Sequence, residues 1–362
     1  MLHQNPLQSE LDTSTRFITA GEIMLRLTPP NYEKIRMTTS FEASYGGSEA
    51  NIALALANLG IDSTFFSVVP NNALGKSAVR WLRSNDVHCT PVILTSPEQT
   101  PTHRLGSYYL ETGYGIRASQ VIYDRKHSAI SEFDFSQVDL ENLLADFDWL
   151  HLSGITPALS PNCAGLILDM LRIAHEKGLT VSFDGNFRSS LWTWEQARDF
   201  CTQCLPYVNV LFGIEPYHLW KDDSNHSLGD WKDGIPLQPS YEQQDEIFQH
   251  FLEKYPNLSC IARHVRYAHS GSENSLKAFM YYEGHTFESR LYTFTILDRV
   301  GGGDAFASGL IYAMMKHYKP MDMLNFAVAS SALKHTIHGD ANITDNAESI
   351  RNLMNMSYDI RR

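Results

Sequence analysis

The sequence predicts an α/β fold: a mostly parallel sheet covered by helices on both faces, with a small antiparallel piece inserted. Three observations carry this. Strand-like runs alternate with runs of helical period along most of the chain, and repeated βα units with short connections imply a parallel sheet buried on both sides. The 362 residues are 43% hydrophobic and 19% charged, the balance of a folded chain long enough to bury a sizeable core. Between residues 88 and 125 the alternation gives way to short strands separated by glycines, which is an antiparallel signature.

In order along the chain, the polar residues 1–16 read as a frayed extension. RFITAGEIMLRL reads as a strand, GGSEANIALALANLGI as a Gly-Gly turn into an Ala/Leu-rich helix, and STFFSVVP as a β-branched, aromatic strand. ALGKSAVRWLRSNDV is an amphipathic helix opened by Gly75. THRLGSYYLE and ASQVIYDR are short strands with Gly113 and Gly115 between them. DWLHLSG, LTVSFDGN, NVLFGI and LSCIARHV then read as strands, with helices PNCAGLILDMLRIAHEKG, TWEQARDFCTQCL and YEQQDEIFQHFLEKY between them. LKAFMYYEG and HTFESRLYTFTIL form a hairpin, and DAFASGLIYAMMKHY and MDMLNFAVASSALKHTIH are helices. The segment 221–240 is polar, turn-rich and without period, so it reads as a loop.

The 29 basic and 41 acidic residues leave a net charge of −12, which argues against a nucleic-acid or polybasic membrane partner while leaving room for a local anion pocket. No run approaches the roughly 20 apolar residues of a membrane span, and the start of the chain lacks the apolar core of a signal peptide. Five cysteines, few and odd in number, suit a reducing compartment such as the cytoplasm. Cys201 and Cys204 form a CxxC, but no second pair or nearby His completes a zinc set, so they read as two thiols near one helix face. His335 and His338, three apart on an expected helix, likewise lack a third ligand.

The strongest chemical signal is DRVGGGDAFASGL, residues 298–310. Gly301, Gly302 and Gly303 lead into an Ala-rich helix. Glycine lets a backbone turn tightly and approach a ligand, and the free N–H groups and positive dipole at a helix start suit an anion. The first polar side chain after them is Asp304. A carboxylate there is poorly suited to hold phosphate but well placed to take a proton from a hydroxyl attacking one. Spacing alone also allows an ordinary N-cap. Rival motifs fail on single residues. A P-loop ending at Gly75-Lys76-Ser77 would need a glycine at Pro70, which has no N–H. A dinucleotide fingerprint over 301–309 meets Phe306 at its third glycine, and a nucleophile elbow at YGGSEA meets Ala50.

Asp184, Asn186 and Arg188 alternate at the end of LTVSF, the end of a parallel strand at which ligands bind. Arg188 offers a fork to a carboxylate or phosphate, and a surface Asp–Arg pair is the alternative. Tyr123 and Arg125 share an i, i+2 face and, with Tyr108, can wall a small anion or simply pack across strands.

Together, GGSEANIALALANLG, DGN and DRVGGGDAFASGL resemble the ribokinase-like (PfkB) carbohydrate kinases over essentially residues 17–345, with Gly302 in place of the alanine of that family's GAGD signature. GEIMLRL, FDGNFRSSLW, VIYDRKHSAIS and ALKHTIHGDAN are similar to its 2-keto-3-deoxygluconate branch. The resemblance implies a ribokinase-like three-layer α/β/α domain over 17–362 with a mostly parallel central sheet and a small β lid built from insertions at about 31–45 and 103–130. It implies ATP- and Mg2+-dependent phosphorylation of a sugar-acid hydroxyl, most of all that of 2-keto-3-deoxygluconate, giving the 6-phosphate. Asp304 would be the base, and Gly301, Gly302 and Gly303 the anion hole. Gly46, Gly47 and Asn51 would hold sugar hydroxyls, and Tyr108, Tyr123, Arg125 and Arg188 the ketoacid end, two arginines being what a carboxylate asks for. Arg266, Ser270, Gly271 and Lys334 would lie near the nucleotide. No metal ligand is assigned, and a homo-oligomer is expected because lid strands often pair between subunits. The chain departs at GIEPYH, where Ile214 stands for an expected Asn and Tyr217 for an acidic residue, and at His264 and Tyr267 around Arg266. A neutral-sugar kinase, or a sugar-acid-binding protein without turnover, are the competing functions.

Overall fold

The computed structural model describes residues 15–217, 238–344 and 346–356, together with the backbone of 231–232 and 235–236. A nine-stranded sheet organises the fold. Six strands run parallel in the order Asp62–Phe66, Arg16–Ala20, Trp149–Ser153, Thr180–Asp184, Val210–Phe212 and Cys260–Ala268. Glu273–Tyr282 then adds antiparallel to Cys260–Ala268 and pairs in turn with both His285–Glu288 and Tyr292–Thr295. The expected hairpin is therefore one long strand faced by two short ones.

Alternate residues of each strand feed opposite cores, as the period of two requires. Ile18, Leu150, Val181, Phe183 and Leu211 pack with helices Pro161–Glu176, Trp194–Cys204 and Tyr241–Lys254. Phe17, Trp149, Val210 and Phe212 pack the other way, against Ser48–Asn58, Gly302–Met315, Pro320–Lys334 and Ala347–Met354. This makes three layers, α/β/α. All five cysteines are free and buried, Cys201 and Cys204 among them. No helix of the described residues is long and apolar enough to cross a membrane.

A second, four-stranded sheet stands apart, in the order Glu42–Gly46, Met24–Thr28, Ser107–Glu111 and Gln120–Asp124. RFITAGEIMLRL is thus not one strand. Arg16–Ala20 stays in the main sheet and Met24–Thr28 joins the small one. The break falls at Gly21, where any side chain would collide with the carboxyl of Glu49. Apolar alternation continues through both halves, so the pattern carries no mark of the change of sheet. STFFSVVP divides likewise, Asp62–Phe66 lying in the main sheet and Val68–Pro70 pairing with Ile93–Thr95 in a separate two-stranded sheet, and two further expectations need correction. Asn72, not Gly75, opens helix Ala73–Arg83, its side chain accepting from the N–H groups of Leu74 and Gly75 at 3.0 and 3.1 Å. The helix expected to carry both histidines ends at Lys334, so His335 is its cap and His338 lies beyond it. Most of the loop expected over 221–240, and the extension 1–14, lie outside the described residues.

Candidate active site

The parallel strands end on one side of the sheet, and the glycine turn comes to meet them. Gly301 has φ +79°, a left-handed conformation that favours glycine, and a Cβ on it would collide with the main-chain carbonyl of Asp340. A Cβ on Gly302 would collide with the ring of His335, while at Gly303 the nearest atom lies 3.7 Å away. Ser331 Oγ donates to the Gly302 carbonyl at 2.7 Å, and His335 Nδ1 donates to the Ser331 carbonyl at 2.7 Å. Helix Pro320–Lys334 thus fixes the turn from behind. Gly301 caps helix Gly302–Met315, and Asp304 falls in its first turn rather than at the cap.

Asp304 is held at both oxygens. Ser48 Oγ donates to Oδ1 and Asn51 Nδ2 to Oδ2, each at 2.7 Å. Both donors come from the first turn of helix Ser48–Asn58, where an i, i+3 pair shares a face. Asn186 Nδ2 donates to Ser48 Oγ at 2.9 Å, and the Asn186 N–H donates to Asp184 Oδ1 at 2.8 Å. A single chain of hydrogen bonds therefore links Asp184 to Asp304. Withdrawal from water raises the Asp304 carboxyl above its ordinary range against the pull of those two donors. Withdrawal from water, and next the charge of Asp304, push Asp184 up to about 7. Glu49 is wholly buried behind them, accepting from Ser153 Oγ at 2.7 Å and Thr156 Oγ1 at 2.8 Å, and burial raises it too.

In front of Asp304 opens a cavity of about 710 Å3, lined by Gly301, Gly302, Gly303, Asp184, Asn186 and Glu215, and by Tyr123, Arg188, Arg266 and Arg299. The walls carry the opposite charge to the floor. Negative groups that can accept a proton and positive groups that can hold an anion face one space, beside N–H groups at a helix start.

The remaining predicted residues divide. Tyr108 and Tyr123 are direct cross-strand partners with ring centroids 5.8 Å apart, and Arg125 lies 5.5 Å over the Tyr123 ring, so the expected trio is together. Only Tyr123 of the three lines the cavity. Arg125 is paired with Glu22, its Nε donating to Oε2 at 2.8 Å. The Tyr108 hydroxyl donates to Asp340. Gly46 leaves room for the Asp340 carboxylate and Gly47 for the Glu22 carbonyl. Lys334 is wholly buried, its Nζ donating to the carbonyls of Asp298 and Ile337 at 3.2 Å each. Ser270 and Gly271 form the turn between Cys260–Ala268 and Glu273–Tyr282, where the Gly271 N–H donates to the Gly115 carbonyl at 2.7 Å.

Several residues here escaped sequence reasoning. Arg26, on the small sheet, donates to Asp298 and Asp340 at 2.5 Å each and is buried with them. Burial works against its charge, but Asp340 and Asp298 outweigh it and hold the guanidinium above its ordinary value. Asp298 also accepts from the N–H groups of Val300 and Gly339 at 3.2 and 3.0 Å. One buried ion cluster so joins the small sheet to the entry of the glycine turn. Ile214 and Tyr217 both belong to the apolar core, Ile214 at the edge of the cavity, and Glu215 between them lines the cavity.

Comparison with known proteins fits this geometry. The model of the pfkB family of carbohydrate kinases matches residues 14–216. The crystal structure of 2-dehydro-3-deoxygluconokinase from Thermotoga maritima superposes with a TM-score of 0.85 at 36% identity, covering 94% of this chain and 99% of that one. The 2-dehydro-3-deoxygalactonokinase of Haloferax volcanii is 29% identical over 90% of this chain and 93% of its own length. The 2-dehydro-3-deoxygluconokinase of Bacillus subtilis is 27% identical over 89% and 90%.

Proposed function

We propose, from the premise that the chain belongs to the pfkB family of carbohydrate kinases, that its acceptor is a sugar acid and that Asp304 is the base of the transfer. The chain is a carbohydrate kinase and ATP is its phosphate donor. The acceptor we assign is 2-keto-3-deoxygluconate, phosphorylated at the 6-hydroxyl. The observation that carries this is the pairing of Asp304 with the glycine turn at the floor of a cavity whose wall bears Arg188. The turn receives the terminal phosphate and the acceptor hydroxyl points at Asp304. The hydroxyl oxygen bonds to phosphorus as its proton passes to the carboxylate, whose raised proton affinity suits that task. Ser48 and Asn51 keep the carboxylate aimed.

For the acid end, Arg188 and Tyr123 face the cavity directly, while Arg125 acts through Tyr123, beneath which it is held by Glu22. Among the described residues no three His, Cys, Asp or Glu side chains gather as a metal cage. A Mg2+ ion carried on ATP keeps several waters and needs only one or two protein carboxylates; Glu215 and Asp184, both lining the cavity, are the ones that would meet it. Bound there, the ion would neutralise charge on the phosphates. The five reduced, buried thiols suit a cytoplasmic setting. Ile122, exposed on the edge strand of the small sheet, suits pairing between subunits.

The test is a substrate panel on the native enzyme and Arg188→Ala. The native enzyme is expected to prefer the acid to fructose. In the variant the acid should lose roughly 1.5–3 kcal/mol, or about 10- to 150-fold in kcat/KM, the worth of a charge-assisted hydrogen bond, with fructose unaffected. An equal loss for both sugars, or a native preference for fructose, would overturn the acid assignment. The galactonate epimer belongs in the panel, because a relative covering 93% of its own length acts on it by name.

A further inference from the structure

Three guanidiniums converge on the cavity: Arg188, Arg266 and Arg299. They come from three separate elements, namely the loop after Thr180–Asp184, the strand Cys260–Ala268, and the turn between Tyr292–Thr295 and Gly302–Met315. Arg188 and Arg266 are exposed and Arg299 is half-buried, whereas the buried Arg26 is matched by Asp298 and Asp340 and the buried Arg125 by Glu22. Among the described residues, the guanidiniums of Arg266 and Arg299 have no ion-pair or hydrogen-bond partner, and that of Arg188 donates only to the Phe187 carbonyl, at 3.0 Å. Partial enclosure in the cleft, and then the charges of Arg299 and Arg188, lower Arg266 to about 10. Arg188 acts on Asp184 and Asp304, but Arg266 and Arg299 bring positive charge to the cavity wall with no ion pair of their own among the described residues, which suits a polyanion.

Position along the chain separates their tasks. Arg188 stands with Asp184 and Asn186, and its part in acid recognition is given above. Arg299 immediately precedes Val300 and the three glycines. Its backbone is anchored where Asp298 accepts from the Val300 N–H and pairs with Arg26, so its Cα is fixed relative to the anion hole. Arg266 lies on the adjacent strand Cys260–Ala268, two residues after His264, whose ring packs on Phe306 of the same helix as Asp304.

We propose that Arg299, seconded by Arg266, clamps the phosphoryl group in transit and so stabilises the transition state rather than the bound nucleotide. The proposal rests on the kinase reading and extends it. In the step, a bond forms from the acceptor oxygen to the terminal phosphorus. The bond from that phosphorus to the bridging oxygen breaks, and its electron pair stays on ADP. The hydroxyl proton goes to Asp304. Charge grows on the bridging oxygen and is spread over the equatorial ones. The glycine N–H groups offer partial charges to it. Arg299 offers a whole one, and its fork can span two oxygens.

The test uses the full chain with Arg299→Ala, Arg299→Gln, Arg299→Lys and Arg266→Ala. Steady-state kinetics are read together with ADP affinity, measured with acceptor present, with and without fluoroaluminate as the mimic of the planar phosphoryl group. Arg299→Ala is expected to lower kcat about 10³-fold, the low end for a transition-state arginine, with KM values for ATP and sugar nearly unchanged. Plain ADP should bind as before, and the extra affinity conferred by fluoroaluminate should vanish. Lysine should restore part of it, and Arg266→Ala should show a smaller loss of the same kind. If the alanine variant does not fold, Arg299→Gln carries the comparison. The proposal is overturned by an unchanged kcat, by an equal loss of ADP and ADP–fluoroaluminate affinity, or by a loss confined to acidic acceptors. Failure of the kinase reading looks different: the native enzyme itself would neither turn over a sugar nor gain ADP affinity from fluoroaluminate, and the proposal would fall with it.

Discussion

Replacing Asp184 by Asn should stabilise the free enzyme, and only above acid pH. The side chain is raised from 3.8 to about 7 by withdrawal from water and by Asp304. Its carboxyl therefore keeps its proton in the folded state across a range where the unfolded chain has lost it. Between about pH 4 and 7 the folded state binds more protons than the unfolded, so stability from this group falls as pH rises and levels off above 7. Three pKa units correspond to about 4 kcal/mol at 1.36 kcal/mol each. A chain this long unfolds with an entropy of about 0.76 kcal/mol/K, so that amount is about 5 °C in Tm. Asparagine escapes the penalty and still accepts from the Asn186 N–H. Differential scanning fluorimetry of both proteins from pH 5 to 8.5 reads it directly. The Tm advantage of Asp184→Asn should grow over that range, toward about 5 °C at pH 8. A constant offset would mean that Asp184 ionises as an ordinary carboxyl and that the coupling to Asp304 is wrong.

Other perturbations test the supports around it. Gly301→Ala combines a left-handed backbone, a strain of about 1–2 kcal/mol for a side chain, with a clash against the Asp340 carbonyl; both Tm and kcat should drop, and native values would show that the turn is free to move. Glu22→Gln leaves Arg125 buried without its counter-ion, so denaturant titration should show a loss of about 3–5 kcal/mol. Much of that loss should return in Glu22→Gln with Arg125→Met, and additive losses would deny the pairing. Chelation by EDTA should abolish turnover and added Mg2+ restore it, whereas activity in metal-free buffer would remove the ion from the reaction.

The layers and the glycine turn were legible because each rests on local pattern. Strand period, helix period and GGGD all lie within a dozen residues. Tyr108, Tyr123 and Arg125 were likewise found as a trio, since one hairpin register places them together. What local pattern lacks is the identity of a distant partner. Nothing near Arg125 in sequence announces Glu22, 103 residues earlier, and nothing near Tyr108 announces Asp340, 232 residues later. Both side chains read as free ligands until the fold showed them occupied. Lys334 read as a nucleotide contact for the same reason, and it lies sealed beneath the turn. Ser48 was within reach of sequence reasoning, because it shares a helix face with Asn51. Arg299 was not: it looked like one more residue in a motif, and only its convergence with Arg188 and Arg266 in one cavity sets it apart.

The decisive experiment is turnover by Asp304→Asn, with sugar and nucleotide affinities measured alongside. Asparagine preserves the side-chain shape and can still accept from Ser48, with the Asn51 amide turned to accept from the new one. It cannot accept the hydroxyl proton. We expect kcat to fall by about 10²–10⁴-fold with both ligands still bound. A kcat within a few-fold of native would place the base elsewhere and leave the carboxylate beside the glycine turn without a catalytic role.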